Sequence, residues 1–220
     1  MRHGGLPAAV LAAADDRRGG ALEVAATAVD GLLEVATDPA LLEEAVAVLL
    51  AGQPAMAPIW HLATAARRPD PRSALAGLRR QLQTDADAAV TTATTWLRER
   101  LATTPGTAAT VSHSSLVSRV LRETGAAGLS TAPTVGVVGA DAIGPAAVLN
   151  ADGTAELAGR VPTLVVATAL KLVPAEVLGR LGGEGFEVVP LKALAAVVVG
   201  PELLSPAEAG HRAAQLSGRL

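Results

Sequence analysis

The chain has 220 residues and a formal net charge of −3, and half of its residues are hydrophobic. This length fits one large domain or two small ones, and the apolar content is too high for a disordered chain. There is no cysteine, which excludes disulfide scaffolds, thiolate nucleophiles and cysteine-based metal sites. The slight negative charge argues against binding nucleic acid by neutralising its phosphates.

Two segments decide whether a membrane or an export signal is expected. Residues 1–14 form an Ala-rich run that loosely resembles a signal peptide, but glycines and Pro7 interrupt it, and Ala replaces the usual Leu-rich core. The longest apolar stretch, 161–173, contains Lys171 and is too short to cross a bilayer. We therefore expect a cytoplasmic protein without a membrane partner.

The first half of the chain carries the apolar spacing of helices. From Leu22 onward, apolar residues recur at the i, i+3, i+4 and i+7 positions of one helical face. Asp38 followed by Pro39 is typical of a helix start. The pattern predicts a helical domain with helices over 22–36, 39–50, 54–66 and 73–101.

After Pro105 and Gly106, short β-branched runs alternate with helical segments. Most of these runs are continuously apolar, as parallel strands covered on both faces are. The alternation predicts an α/β sheet with right-handed crossovers. The predicted strands are 108–112, 134–138, 163–167, 186–189 and 195–199, and the predicted helices are 115–124, 154–160, 174–181 and 206–216.

Ligands of such sheets bind beyond the carboxyl ends of the strands, which selects three segments. Residues 112–115 open a helix, where hydroxyls and backbone N–H groups suit a phosphate. Residues 139–141 end in Asp141, which can act as a general base or hold sugar hydroxyls. Residues 150–154 form a turn that leads into a helix and has the geometry of a phosphate cradle.

Each segment also has a purely structural interpretation. Ser114 or Ser115 can be the N-cap of the following helix. Asp141 can cap a turn, and Asn150 and Asp152 are ordinary turn residues. The sequence alone leaves these alternatives open.

Other kinds of site find little support. His113, Ser114 and Asp141 suggest a hydrolase triad, but the sequence has no G-x-S-x-G elbow. The glycines around Asp141 do not form a dinucleotide fingerprint, and the histidines lack metal-ligand spacing. We expect no cofactor and no metal ion.

Seven short motifs are similar, in the same order, to those of one known family. They are DRRGGA at 16–21, QPAMAP at 53–58, TVSHSS at 110–115, VGADA at 138–142, Asn150 with Gly153 and Thr154, Lys171 with Pro174, and FEVVP at 186–190. The chain thus resembles the α/β/δ-subunit family of translation initiation factor 2B, which includes methylthioribose-1-phosphate isomerase and ribose-1,5-bisphosphate isomerase. Single motifs are weak, but their order along most of the chain is specific.

The resemblance implies a fold and a partner. It implies a helical N-terminal domain (residues 1–104) and a Rossmann-like parallel-sheet domain with a reduced number of strands (residues 105–220). It further implies a homodimer formed through the C-terminal domain. The ligand implied is a phosphorylated ribose-type sugar or a nucleotide.

The resemblance also implies a set of site residues. Asp141 and Ser114 match the two positions that carry the proton shift in the isomerases. The implied ligand-binding residues are Arg18, Gly20, His113, Ser115, Gly139, Asn150, Gly153, Thr154 and Lys171.

The chain departs from the isomerase pattern in three places. Ser114 stands where the isomerases have Cys, and a hydroxyl without an adjacent base is a poor acid or base at neutral pH. Ala151 stands where they have Lys, and the segment 122–133 is shorter than in typical members. Two hypotheses follow: a sugar-phosphate-binding protein derived from an isomerase, or a non-catalytic regulatory or protein-interaction module.

Overall fold

A computed structural model describes residues 5–111, 114–126 and 133–216. The chain forms two compact units, of which one ends at Gln83 and the other begins at Thr84. The division falls inside the long helix Pro71–Thr103, which has residues in both units. The domain boundary expected after residue 104 stays a prediction.

The first unit is helical, as predicted from residue 22 onward. Its helices are α1 (Ala8–Asp15), α2 (Ala21–Val35), α3 (Pro39–Gly52), α4 (Ala57–Ala66) and the start of α5 (Pro71–Thr103). Asp38 caps α3, because its Oδ1 accepts hydrogen bonds from the backbone N–H groups of Ala40 and Leu41 (both 3.1 Å). Helix α1 was not predicted, although Val10 within it is completely buried.

Two side chains, Gln53 at the end of α3 and Arg17 just after α1, link the carboxyl ends of these two helices. Gln53 Nε2 donates to the carbonyl of Asp16 at 2.7 Å. The Arg17 guanidinium donates to the carbonyls of Ala14 (2.9 Å) and Gly52 (2.7 Å). These donors satisfy carbonyls that the end of a helix leaves without partners.

The second unit contains the predicted sheet. Its strands are β1 (Ala108–Ala109), β2 (Val135–Val138), β3 (Ala142–Ile143), β4 (Ala147–Ala151), β5 (Thr163–Ala167), β6 (Phe186–Pro190), β7 (Ala196–Val199) and β8 (Glu202–Leu204). Among the described residues, a five-stranded sheet has the order β1-β2-β5-β7-β8, and its pairs are parallel except β7–β8. Helices α6 (Ser115–Thr124), α7 (Thr154–Arg160), α8 (Ala175–Leu178) and α9 (Pro206–Gln215) complete the unit. The expected Rossmann-like parallel sheet is confirmed.

A second, antiparallel sheet, β3-β4-β6, corrects one prediction. Residues 186–189 were predicted as a strand of the parallel sheet, but β6 pairs antiparallel with β4, where Val189 faces Val148. Its burial explains the difference: the side of β6 that carries Val188 is open, with Val188 61% exposed. A strand of a parallel sheet is usually covered on both faces.

The carboxyl-terminal part of α5 belongs to the second unit, and its polar side chains form hydrogen bonds with other segments of that unit. Thr92 Oγ1 donates to the carbonyl of Pro201 (3.1 Å), and Arg98 donates to the carbonyl of Glu123 (2.8 Å). Each unit has one tryptophan: Trp60 lies in α4, and Trp96 lies in this part of α5. Within the part of the chain that the structure describes, every helix is too short or too polar to span a membrane.

Candidate functional site

The carboxyl ends of three neighbouring strands bring distant parts of the sequence to one edge. β1, β2 and β5 are adjacent and parallel, so the segments that follow them leave the sheet at the same edge. Ser114 follows β1, Asp141 follows β2 and Lys171 follows β5. We take this edge, defined by those three residues, as the candidate site and call it the strand-end site.

Two predicted site residues form an ion pair there. Lys171 Nζ lies 3.7 Å from Asp141 Oδ1, and the two side chains are 9% and 19% exposed. The distance is longer than a hydrogen bond, so the contact is an attraction between charges without strict geometry. Because little water reaches these side chains, salt screens this attraction less than it screens a surface pair.

The backbone register explains why these two residues meet. β3 follows Asp141 directly, and Ile143 in this strand forms a parallel bridge with Leu172. The backbone N–H of Val173 donates to the carbonyl of Ile143 at 2.9 Å. Asp141 lies two residues before Ile143, and Lys171 lies one residue before Leu172, so the bridge brings the two side chains close together.

Lys171 ends a short 3-10 turn, Ala169–Lys171, that follows β5. The backbone N–H of Lys171 donates to the carbonyl of Thr168 at 3.0 Å. The first amide of the turn, that of Ala169, donates to Asp85 Oδ2 at 3.2 Å. A residue of α5 therefore reaches the strand-end site from far away in the sequence.

Asp85 is a residue that the sequence analysis missed. An acidic residue off the apolar stripe of a long helix is typical of a solvated face, and no motif marks it. Gly200, which follows β7 with φ +57°, lies against it: a Cβ at Gly200 would be 3.5 Å from Asp85 Cγ. Asp85 thus lies by the ends of both β5 and β7.

Asn150 near the end of β4 and Thr154 at the start of α7 are hydrogen-bonded across the short turn that connects the two elements. Asn150 Nδ2 donates to Thr154 Oγ1 (2.9 Å), which donates to the carbonyl of Ala151 (2.7 Å). Both side chains are buried, and Gly153 between them has φ +91°, a conformation that favours glycine. The structure therefore gives Asn150 and Thr154 an internal role, whereas their predicted contact with a ligand stays a prediction.

The start of α7 already holds a carboxylate. Glu187 Oε1 accepts a hydrogen bond from the backbone N–H of Ala155 at 2.8 Å. The positive end of a helix dipole stabilises a negative charge at this place. The turn also lies beside the segment after β1, since a Cβ at Gly153 would be 3.5 Å from Val111 Cγ1.

The remaining predicted residues of the second unit lie around β1, β2 and α6. Ser114 is the N-cap residue of α6, but its side chain accepts no hydrogen bond from the described backbone of that helix. Ser115 is the first residue of α6, and Gly139 is buried directly after β2. His113 lies outside the described residues.

Arg18 and Gly20 belong to the first unit. Asp16 Oδ1 accepts hydrogen bonds from the backbone N–H groups of Gly19 (2.7 Å) and Arg18 (2.8 Å), and these bonds lower the pKa of Asp16. The Arg18 side chain is exposed, and Gly20 is the N-cap residue of α2. A joint site of these residues with Asp141 stays a prediction.

Comparison with solved structures identifies the fold. The chain is 18% identical to the translation initiation factor eIF-2B of Pyrococcus horikoshii OT3, with a TM-score of 0.65, covering 92% of this chain and 99% of that one. The chain is 12% identical to a chain of the tetrameric eIF2B-beta2-delta2 complex of C. thermophilum, with a TM-score of 0.68, and the match covers 94% of this chain and 92% of that one. It is 15% identical to the 5-methylthioribose 1-phosphate isomerase of P. horikoshii OT3, with a TM-score of 0.56, and this match covers 94% of this chain and 86% of that one.

No protein-family model and no curated protein matches the sequence. At these identities the structural likeness shows the fold: a helical part followed by a Rossmann-like part, as in initiation factor 2B subunits and the isomerase. It supports the resemblance noted in the sequence.

Proposed function

We propose that the chain is a divergent member of the initiation factor 2B family that binds a phosphorylated ribose-type sugar or a nucleotide at the strand-end site. The shared fold and the order of the sequence motifs support the family. Fold alone does not decide function, so the proposal depends on the chemistry of the site.

The observation that carries the proposal is the Asp141–Lys171 pair at the carboxyl ends of adjacent parallel strands. A carboxylate accepts hydrogen bonds from sugar hydroxyls, and an ammonium group donates to phosphate oxygens. A sugar phosphate presents both groups within one small molecule. Backbone N–H groups at the start of α6, near Ser114 and Ser115, would hold the phosphate.

Isomerase activity would be the stronger form of this function. By resemblance, Asp141 and Ser114 would move the proton between the two carbon atoms of the aldose–ketose shift. If the protein isomerises such a sugar, Asp141→Asn abolishes turnover and leaves the fold intact. Ser114→Cys, which restores the residue of the isomerases, is expected to raise turnover, and Ser118→Cys, at an exposed position of α6, serves as its control.

A non-catalytic regulatory or interaction module is the second candidate, and the bond between Glu187 and the N–H of Ala155 favours it. A phosphate at the start of α7 would have to displace this carboxylate. Asn150 and Thr154 are likewise bonded to each other. The segment 122–133, whose length bears on how the site is closed, lies partly outside the described residues.

A thermal-shift titration tests the binding proposal. Ribose-1,5-bisphosphate, methylthioribose-1-phosphate, ribose-5-phosphate, AMP and GDP are titrated into the wild type and into Asp141→Ala. A ligand at a hundred times its Kd stabilises the folded state by about 2.7 kcal/mol, which gives a clear rise in Tm.

Asp87→Ala is the matched control, because it removes the carboxylate of an exposed ion pair with Arg119 in the same unit. A rise with one compound that persists in Asp87→Ala and is lost in Asp141→Ala supports the proposal. Unchanged Tm values with all five compounds would leave the interaction module as the remaining function. Saturable binding without turnover would point to a binding protein without catalysis.

A further inference from the structure

The place of Lys171 depends on a turn that is bonded to a distant helix. Ala169, which begins the turn, donates its amide N–H to Asp85 Oδ2 at 3.2 Å. A hydrogen bond to an ionised acceptor is about twice as strong as one between neutral groups. The bond therefore fixes the start of the turn that ends in Lys171.

The helix that carries Asp85 is itself bonded to the turn between β7 and β8 and to the end of α6. Thr92 and Arg98, further along α5, donate to the carbonyls of Pro201 and Glu123. The Asp85 carboxylate also lies against Gly200. The carboxylate thus has a defined place between the ends of β5 and β7.

We propose that Asp85 is a positioning residue of the strand-end site: by holding the Ala169–Lys171 turn, it places the Lys171 ammonium beside Asp141. The importance of this role for ligand binding rests on the function proposed above. The contact between Asp85 and Ala169 does not depend on that function, so the positioning role and ligand binding can be tested separately.

The chain offers a direct readout, because Lys171 and Lys192 are its two lysines. Lys171 is 7% exposed, whereas Lys192 is exposed and serves as an internal reference. Reductive methylation with ¹³C-formaldehyde and cyanoborohydride labels both lysine side chains, whose signals are distinct from that of the α-amino group, and the initial rates are followed by NMR. The ratio of the Lys171 rate to the Lys192 rate reports how firmly the turn holds Lys171.

Three variants separate positioning from general destabilisation. Asp85→Ala removes the acceptor, and the rate ratio is expected to rise about tenfold, the factor that corresponds to the loss of one such hydrogen bond. Asp85→Asn keeps an amide oxygen that can accept the N–H in a weaker, uncharged hydrogen bond, so the ratio rises by only about threefold. Asp87→Ala removes a carboxylate two residues away on the same helix, about 200° around its axis, and leaves the ratio unchanged.

Equal ratios in Asp85→Ala and Asp87→Ala overturn the proposal, and so does an Asp85→Asn ratio as high as that of Asp85→Ala. If Asp85→Ala does not fold, hydrogen exchange of the Ala169 amide decides the matter in the wild type and in Asp85→Asn. The proposal requires protection of this amide in both proteins. Exchange at the rate of an open loop in the wild type contradicts it.

A titration with ribose-5-phosphate distinguishes this proposal from the proposed function. If Asp85→Ala raises the Lys171 rate while no tested sugar phosphate or nucleotide binds the wild type, the positioning role stands and the binding function fails. The opposite result is that the wild type binds ribose-5-phosphate and Lys171→Met does not, while Asp85→Ala changes neither this binding nor the Lys171 rate. In that case the binding function is supported and the positioning role of Asp85 is refuted.

Discussion

Asp141 and Lys171 depend on each other because both side chains are more than four-fifths buried. Removing one partner of a buried ion pair leaves the other charge without compensation, which costs more than the pair itself contributes. Replacing both partners by neutral groups avoids this cost. The double change should therefore lower the free energy of unfolding by less than the sum of the two single changes.

We expect Asp141→Asn to lower the free energy of unfolding by about 1–3 kcal/mol, and Asp141→Asn/Lys171→Met to recover part of the loss. Urea unfolding of the wild type, both single variants and the double variant measures the coupling energy. Asp87→Asn, at an exposed ion pair, should change stability by at most about 1 kcal/mol. Strictly additive losses at Asp141 and Lys171 would show that the pair is not coupled.

A second ion pair makes a prediction about pH. The hydrogen bond from Arg212 lowers the pKa of Glu202 below its ordinary value of 4.5. A carboxyl group whose pKa is lowered by folding stabilises the folded state above its unfolded pKa, and this contribution is lost as the pH falls through the folded pKa. Both side chains are more than a third exposed, so solvent limits the effect.

Accordingly, Glu202→Gln should cost at most about 1 kcal/mol at neutral pH. The difference from the wild type should shrink as the pH falls below 4.5, the ordinary pKa of this carboxyl group. Thermal unfolding of both proteins from neutral to acidic pH checks this, and added salt should reduce the difference. A difference that grows towards low pH would contradict the assignment.

Among the elements, helices with clear end signals were predicted well. The limits of α6 and α7 agree with the predictions 115–124 and 154–160. Gly125, which ends α6 with φ +64°, is typical of a helix end. Strand β3, with two residues, is too short for any periodicity. Local patterns therefore predicted β6 as a strand but not its antiparallel pairing in the sheet β3-β4-β6.

For two glycines in helices, substitution by alanine is expected to change the stability of the protein in opposite directions. A Cβ at Gly77 in α5 would meet no described atom within 4 Å, so Gly77→Ala should stabilise the protein by about 0.5–1 kcal/mol through helix propensity. A Cβ at Gly210 in α9 would collide with the carbonyl oxygen of Pro145. Gly210→Ala should therefore destabilise by about 1–3 kcal/mol, as overpacking does. Calorimetric Tm values of the two variants should move in opposite directions, and equal shifts would contradict the packing of α9.

For the molecule as a whole, the fold class, the other helices and the parallel strands could be predicted from the sequence, whereas α1, β3, β4 and β8 were missed. The site could be predicted only in part. Asp141 and Lys171 were selected singly, Asp141 by its place after a strand and Lys171 by resemblance alone. Their contact depends on the bridge between Ile143 and Leu172, which no local pattern specifies. Asp85 could not be predicted, because its role arises only where α5 meets the ends of β5 and β7.

The resemblance also predicts a homodimer formed through the carboxyl-terminal half. In that half, Val188 on β6 and Leu203 on β8 are the large apolar side chains, among the described residues, that are most exposed (61% and 48%). We expect sedimentation to show a dimer and either Val188→Asp or Leu203→Asp to weaken it. Leu203 lies on the edge strand of the larger sheet, where a charge disfavours pairing. A monomer at all concentrations would refute the prediction.

The placing of one tryptophan in each compact unit gives the molecule two separate optical reporters. Tyrosine is absent from the chain, so the fluorescence of the protein comes from Trp60 in the helical unit and Trp96 in the α/β unit. Trp60→Phe and Trp96→Phe then yield two proteins, each with a single emitter. Coincident denaturant midpoints for the two emitters indicate that the units unfold together. Separate midpoints assign a stability to each unit without cutting the chain.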